Sequence, residues 1–269
     1  MDSNCEPMEV VLESCASQTI SFVKHGSGHC KVLLLPGALG TWWTDFNDLL
    51  HCFAPSQFTV VSWDPPGYGR SQPPERRYGR QSNENDAAIA HELMRVLDLV
   101  PFSVVGWSDG GASALQLAFA QQRSVLSVVL SGTAVTITEQ MLAVFRVAEN
   151  ISTWAPERRA RLARVAGEHA LQRAASAYFR ARIQQFESGH VERVSEAVLA
   201  QITQPVLVLC GARDAIVSQE QVQCMMRHLR NARCVSKFDG QHDLHLKHQG
   251  WFVQNVLPFL RQHSTPGSS

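Results

Sequence analysis

A chain of 269 residues with 45% apolar content is long enough to bury one large core, and one α/β domain with an inserted segment fits it better than two domains. Its 24 Lys and Arg balance its 24 Asp and Glu, which leaves no electrostatic footprint for nucleic acid or an anionic membrane surface. No apolar run approaches a membrane span, and seven scattered cysteines, odd in number and without a Cys-x-x-Cys pair, read as reduced thiols in an intracellular protein.

The N-terminus, Met1-Asp2-Ser3-Asn4-Cys5-Glu6, is acidic, and no Arg precedes Arg70. It reads as neither a secretory signal nor a mitochondrial transit peptide, so a cytoplasmic protein is expected. Glu9 to Leu12 and Thr19 to Val23 predict an opening hairpin. Apolar runs then predict parallel strands at Val32–Leu35, Thr59–Trp63, Phe102–Val105, Val125–Leu130, Val206–Leu209 and Cys234–Phe238, with helices over Ser82–Leu99 and Ala112–Gln121 between them. Gly67-Tyr68-Gly69 lacks the third, helix-opening glycine of a dinucleotide loop. Residues 138 to 190 are rich in Ala, Arg, Glu and Gln with helical periodicity. They are expected to form a helical cap inserted into a doubly wound core made of residues 1–137 and 191–263, followed by a frayed tail at 264–269. Arg158, Arg159, Arg161 and Arg164 in the cap read as a solvated helix face rather than an anion site.

The chemistry-bearing stretch is Ser103-Val104-Val105-Gly106-Trp107-Ser108-Asp109-Gly110-Gly111. A Gly-x-Ser-x-Gly sequence between a strand and a helix is a nucleophile elbow. The turn is so sharp that Ser108 must take a strained backbone conformation, and glycine is needed two residues to either side. The elbow predicts an acid and then a His in chain order. Asp214 follows the strand at Val206–Leu209, and His242 follows the strand at Cys234–Phe238. His242 is thus the expected base, oriented by Asp214, with His245 as its rival. The competing reading of Asp214 is a turn carboxylate or helix cap. His242, His245 and His248 are spaced by three, yet His242 belongs to the loop before the last helix and no further ligands cluster near it, so no metal is expected. No cofactor is expected either. The oxyanion hole needs an N–H from Pro36-Gly37-Ala38-Leu39-Gly40, supplied by Ala38 or Leu39, and a second from Asp109.

Along nearly its whole length the chain resembles the α/β-hydrolase superfamily, and within it the valacyclovir hydrolase (biphenyl hydrolase-like) proteins. The resemblance rests on Leu33 to Gly40, Val61-Ser62-Trp63-Asp64-Pro65-Pro66-Gly67-Tyr68-Gly69-Arg70-Ser71, Gly106 to Gly111 and Gly240-Gln241-His242-Asp243-Leu244-His245-Leu246. The chain departs from the superfamily's usual His-Gly at Pro36-Gly37, and from an Arg that relatives carry where it has Pro66. The resemblance implies a mostly parallel sheet with an inserted helical cap and a serine hydrolase that acts on α-amino acid esters. It also implies that Asp109 binds the substrate ammonium. The expected partner is a small-molecule ester, and a monomer is expected. Some relatives are mitochondrial, so the resemblance offers that compartment as the alternative to the cytoplasm. Ser108 stands where dehalogenases and epoxide hydrolases of this fold place Asp, so acyl transfer through serine is the reading. The alternatives are a carbon–carbon bond hydrolase of the same fold and a non-catalytic small-molecule-binding protein.

Overall fold

The computed structural model describes residues 6–13 and 18–265, so residues 266–269 of the expected tail and the first five residues lie outside it. The strands are β1 Met8–Leu12, β2 Gln18–His25, β3 Cys30–Leu35, β4 Phe58–Trp63, β5 Phe102–Trp107, β6 Val125–Ser131, β7 Val206–Gly211 and β8 Ala232–Lys237. The helices are α1 Asn47–Leu50, α2 Ser82–Val96, α3 Asp109–Ala120, α4 Glu139–Ala148, α5 Pro156–Ala166, α6 Glu168–Glu187, α7 Glu196–Leu199, α8 Gln219–His228, α9 Leu244–Lys247 and α10 Gln249–Gln262.

The strands form one eight-stranded sheet in the order β1-β2-β4-β3-β5-β6-β7-β8. The opening hairpin is antiparallel and joins β4 antiparallel, and every later pairing is parallel. Strands such as β5 are buried on both faces, which is why they read as continuous apolar runs rather than alternating ones. Alternate residues serve opposite faces. Leu33, Leu35 and Val104 pack with helices α2, α3 and α8, whereas Val32, Leu34 and Val105 pack with α10 through Phe252 and Val256.

Helices α4 to α6 lie between β6 and β7 and hold a separate apolar cluster. Met141, Phe145, Leu171 and Phe179 close there on Leu39, Tyr68 and Val217, in the loops after β3, β4 and β7. The helices therefore cover the C-terminal edge of the sheet, where the strand-end residues collect. No helix among the described residues is long and apolar enough to cross a membrane.

Candidate active site

Ser108 joins β5 to α3 with φ 53° and ψ −114°, a left-handed conformation that costs energy for any residue with a Cβ. Two glycines let the turn close. A Cβ on Gly106 would lie 2.5 Å from the Gly110 carbonyl oxygen, and one on Gly110 would lie 2.2 Å from that of Leu35. The Ser108 N–H donates to the Ser131 carbonyl at 2.9 Å, which ties the elbow to the end of β6.

The structure brings Ser108, His242 and Asp214 together from three loops. Ser108 Oγ lies 2.9 Å from His242 Nε2, and His242 Nδ1 lies 2.9 Å from Asp214 Oδ2. Asp214 serves both readings that its sequence position allowed. Its Oδ1 accepts the N–H groups of Ile216 at 2.8 Å and Val217 at 3.0 Å, and its Oδ2 is left for the imidazole. Burial pushes the Asp214 carboxyl up, but His242 and the two N–H groups outweigh it and hold the group below its ordinary value. An ionised carboxylate there keeps Nδ1 protonated and presents the lone pair of Nε2 to the serine. Trp107, legible in sequence only as the variable residue of the elbow, pins the His242 loop, because its Nε1 donates to the His242 carbonyl at 3.0 Å.

His245 sits elsewhere. It is 1% exposed, its ring centroid lies 4.7 Å from that of Trp107 and 5.3 Å from that of Phe46, and burial pushes it down to about 3. It packs as a neutral core ring.

Ala38 lines both cavities that reach His242, one of about 580 Å³ and a smaller one of about 60 Å³ that also holds Ser108; Leu39 faces a different cavity. The N–H groups of Ala38 and Asp109 donate to no acceptor among the described residues. The loop carrying Ala38 is braced by Asp45, which sequence reasoning missed. Asp45 Oδ2 accepts the Gly37 N–H at 2.9 Å and Oδ1 accepts the Thr44 hydroxyl at 2.8 Å. A Cβ on Gly40 would lie 2.0 Å from Asp45 Oδ2, so the brace needs glycine there.

Two of the sequence readings meet surroundings that the sequence did not announce. Asp109 already has cationic partners within the protein. Its Oδ1 accepts from Arg193 Nη2 and, at 3.0 Å, from the Tyr178 hydroxyl, and Arg182 Nη2 stands 3.7 Å away. The carboxylate is 9% exposed and absent from the walls of the two cavities that Ala38 and His242 line, whereas Arg193 lines the smaller one. Nothing in the local sequence announced this, because Tyr178 and Arg182 come from α6 and Arg193 from the segment after it. The arginine run of α5 is not all solvated face either. Arg159 pairs with Glu168 and Arg164 stacks over Trp43, but Arg158 and Arg161 line the larger cavity.

The chain matches the alpha/beta hydrolase family over residues 32–255. It is 31% identical over 242 residues to the serine hydrolase BPHL of Mus musculus, with 90% of this chain and 83% of the relative covered, and 30% identical over the same length to the serine hydrolase BPHL of Homo sapiens, with the same coverage. Among solved structures it is similar to the 2-hydroxy-6-oxo-6-phenylhexa-2,4-dienoate hydrolase of Rhodococcus sp. strain RHA1, with a TM-score of 0.77 at 22% identity over 96% of this chain and 98% of that one. That likeness is one of fold. The family match and the two relatives show that the chain belongs to the alpha/beta hydrolase family and is a hydrolase.

Proposed function

We propose that the protein cleaves carboxylic esters through an acyl-serine intermediate, with Ser108 as nucleophile, His242 as general base and then acid, and Asp214 as the carboxylate that orients His242. One observation carries this reading: the unbroken run from Ser108 Oγ through His242 to Asp214 Oδ2, with both links at 2.9 Å. As Ser108 Oγ bonds to the ester carbon, its proton passes to His242 Nε2. Asp214 stabilises the imidazolium that results. Collapse of the oxyanion breaks the bond to the alcohol, which leaves with the Nε2 proton. A water then gives a proton to Nε2 and attacks the acyl-serine carbon; collapse breaks the bond to Ser108 Oγ, which takes the Nε2 proton back as the acid leaves. The oxyanion would be held by the N–H groups of Ala38 and Asp109, the second at the positive end of α3. Ala38 is favoured over Leu39 because it shares the Ser108 cavity.

In this reading residues 1–137 and 191–263 make the hydrolase core and residues 138–190 the cap. A cytoplasmic compartment, a monomeric state and a small-molecule substrate belong to the same reading, the first supported by seven scattered cysteines without a Cys-x-x-Cys pair. The family resemblance would narrow the substrate to α-amino esters held by Asp109. The two guanidiniums on that carboxylate argue against the narrower reading, since an ammonium would meet a charge already compensated.

A fluorophosphonate probe should label the wild-type protein, and Ser108→Ala should abolish both labelling and ester turnover. Near-wild-type hydrolysis by folded Ser108→Ala would overturn the serine mechanism.

A further inference from the structure

Asp109 and its partners belong to a buried group of charges that does not sum to zero. Arg76 and Asp86 form a two-pronged pair at 3.0 and 2.6 Å. Asp109 alone faces both Arg182 and Arg193. Three arginines thus stand against two aspartates, and each of the five side chains is at most 12% exposed. The group therefore carries one excess positive charge. Its guanidiniums are also short of acceptors. Arg182 Nε and Nη2 and Arg193 Nε are buried without a hydrogen-bond partner. Arg193 is the member that reaches the small cavity beside Ser108 and His242, and Arg158 lines that cavity too. Arg158 rests its guanidinium on the Trp154 ring at 4.7 Å and forms no ion pair among the described residues.

A bare carboxylate next to the nucleophile would oppose the negative charge that develops on the substrate oxygen. A cation must accompany it, and here the protein supplies that cation. An ammonium on the substrate is then redundant, and in a low-dielectric cavity it would be repelled by the excess positive charge. A carboxylate on the substrate would meet that excess instead, with a planar, multi-donor guanidinium to receive it.

We infer that the site selects esters whose acyl group bears a carboxylate a few bonds from the scissile carbonyl, such as half-esters of short dicarboxylic acids, and that Arg193, together with Arg158, is the anion-recognising element. The acyl group then fills the small cavity, and the alcohol lies in the larger one, against Trp154 and Ile216. The inference rests on the acyl-serine reading and is tested so that the two can fail separately.

The experiment compares kcat/KM for three aryl esters with one leaving group: a succinate half-ester, the butyrate, and the β-alanine ester with a free amine. Wild type should prefer the half-ester over the butyrate by about ten- to hundredfold, the range of a charged hydrogen bond, with the β-alanine ester slowest. Arg193→Gln should collapse the half-ester preference to within a few-fold and bring the β-alanine ester closer to the butyrate, because Asp109 then loses its strongest partner. Arg158→Gln should reduce the preference in the same direction, and it sits at the cavity wall, so it serves if Arg193→Gln does not fold. Labelling of Ser108 with turnover of butyrate but no preference for the half-ester, or a preference for the β-alanine ester, overturns the anionic-acyl inference and leaves the acyl-serine reading standing. Absence of labelling and of turnover on all three esters overturns the acyl-serine reading, and the inference falls with it.

Discussion

Two carboxylates stand close to Ser108, both buried and both held below their ordinary value, and they are built for opposite purposes. Asp214 meets a group that can gain and lose a proton. Its partner His242 is 16% exposed at the side chain and lies in a loop that reaches the cavities. Asp109 meets groups that do neither. Burial pushes its carboxyl up, but Arg193, Arg182 and Arg76 outweigh that, and arginine keeps its charge at any pH a protein survives. The first pairing can follow a reaction as charge moves. The second is a fixed charge arrangement beside the cavity that Arg193 lines. Like residues at like burial thus part company according to whether the partner can exchange a proton.

The strongest effect expected is on the moving side. Ser108→Ala should lower kcat by about 10⁴- to 10⁶-fold, because the groups of a triad act as one unit. Thermal melts should be near those of wild type, since the substitution removes one hydroxyl. Asp214→Asn follows, with kcat down by about 10⁴-fold. An amide that donates toward Nδ1 favours the tautomer in which Nε2 carries the proton, and that nitrogen can then no longer take the serine proton. A folded Asp214→Asn protein within tenfold of wild type would remove the contrast between the two carboxylates.

Asp109→Asn should sharpen it from the other side. Removing one charge leaves Arg182 and Arg193 buried against a neutral group, a loss of about 3–5 kcal/mol in folding stability. Denaturant titration checks this. The drop in kcat on a neutral ester should be far smaller than for Asp214→Asn, because the proposed mechanism uses the Asp109 N–H and not its side chain.

The smallest effect concerns buried acids that have no cation in direct contact. Burial pushes Asp45 and Asp64 up to about 6 from 3.8, against the hydrogen bonds that each accepts. A carboxyl with a folded value above its unfolded one stays protonated longer in the folded chain. Its stabilising contribution is complete below about pH 4 and is lost as pH rises through 6, on the order of 3 kcal/mol for each group. Asp45→Asn should therefore flatten the fall in stability between pH 4 and 6, measured by denaturant midpoints across that range. A slope unchanged from wild type would mean that Asp45 is ionised throughout. The asparagine amide can accept through one atom only, so it cannot take both the Gly37 N–H and the Thr44 hydroxyl, and ester turnover should fall as the Ala38 loop loosens.

Local sequence determined the strands, because both faces of a parallel sheet are buried and a run such as Val32 to Leu35 has no other place to go. It also determined the order of Ser108, Asp214 and His242, since each follows its own strand within a few residues and the sheet brings strand ends together. It placed Gly106 and Gly110 for a steric reason that the structure shows in their contacts with Gly110 and Leu35. What it could not determine was the charge beside the nucleophile. Asp109 is legible as an acid at the start of α3. Its meaning depends on Tyr178, Arg182 and Arg193, between 69 and 84 residues away for the two that hydrogen-bond to it. In sequence Arg182 looks like any other arginine in a polar helical stretch, and Arg193 like any other in a polar connection. Only tertiary packing, which folds α4 to α6 over the sheet edge and buries Arg182 and Arg193 with Asp109, turns an unpaired carboxylate into a neutralised one. Electrostatic roles inside a protein are set by which charges share a low-dielectric space, and that is a property of long-range contacts.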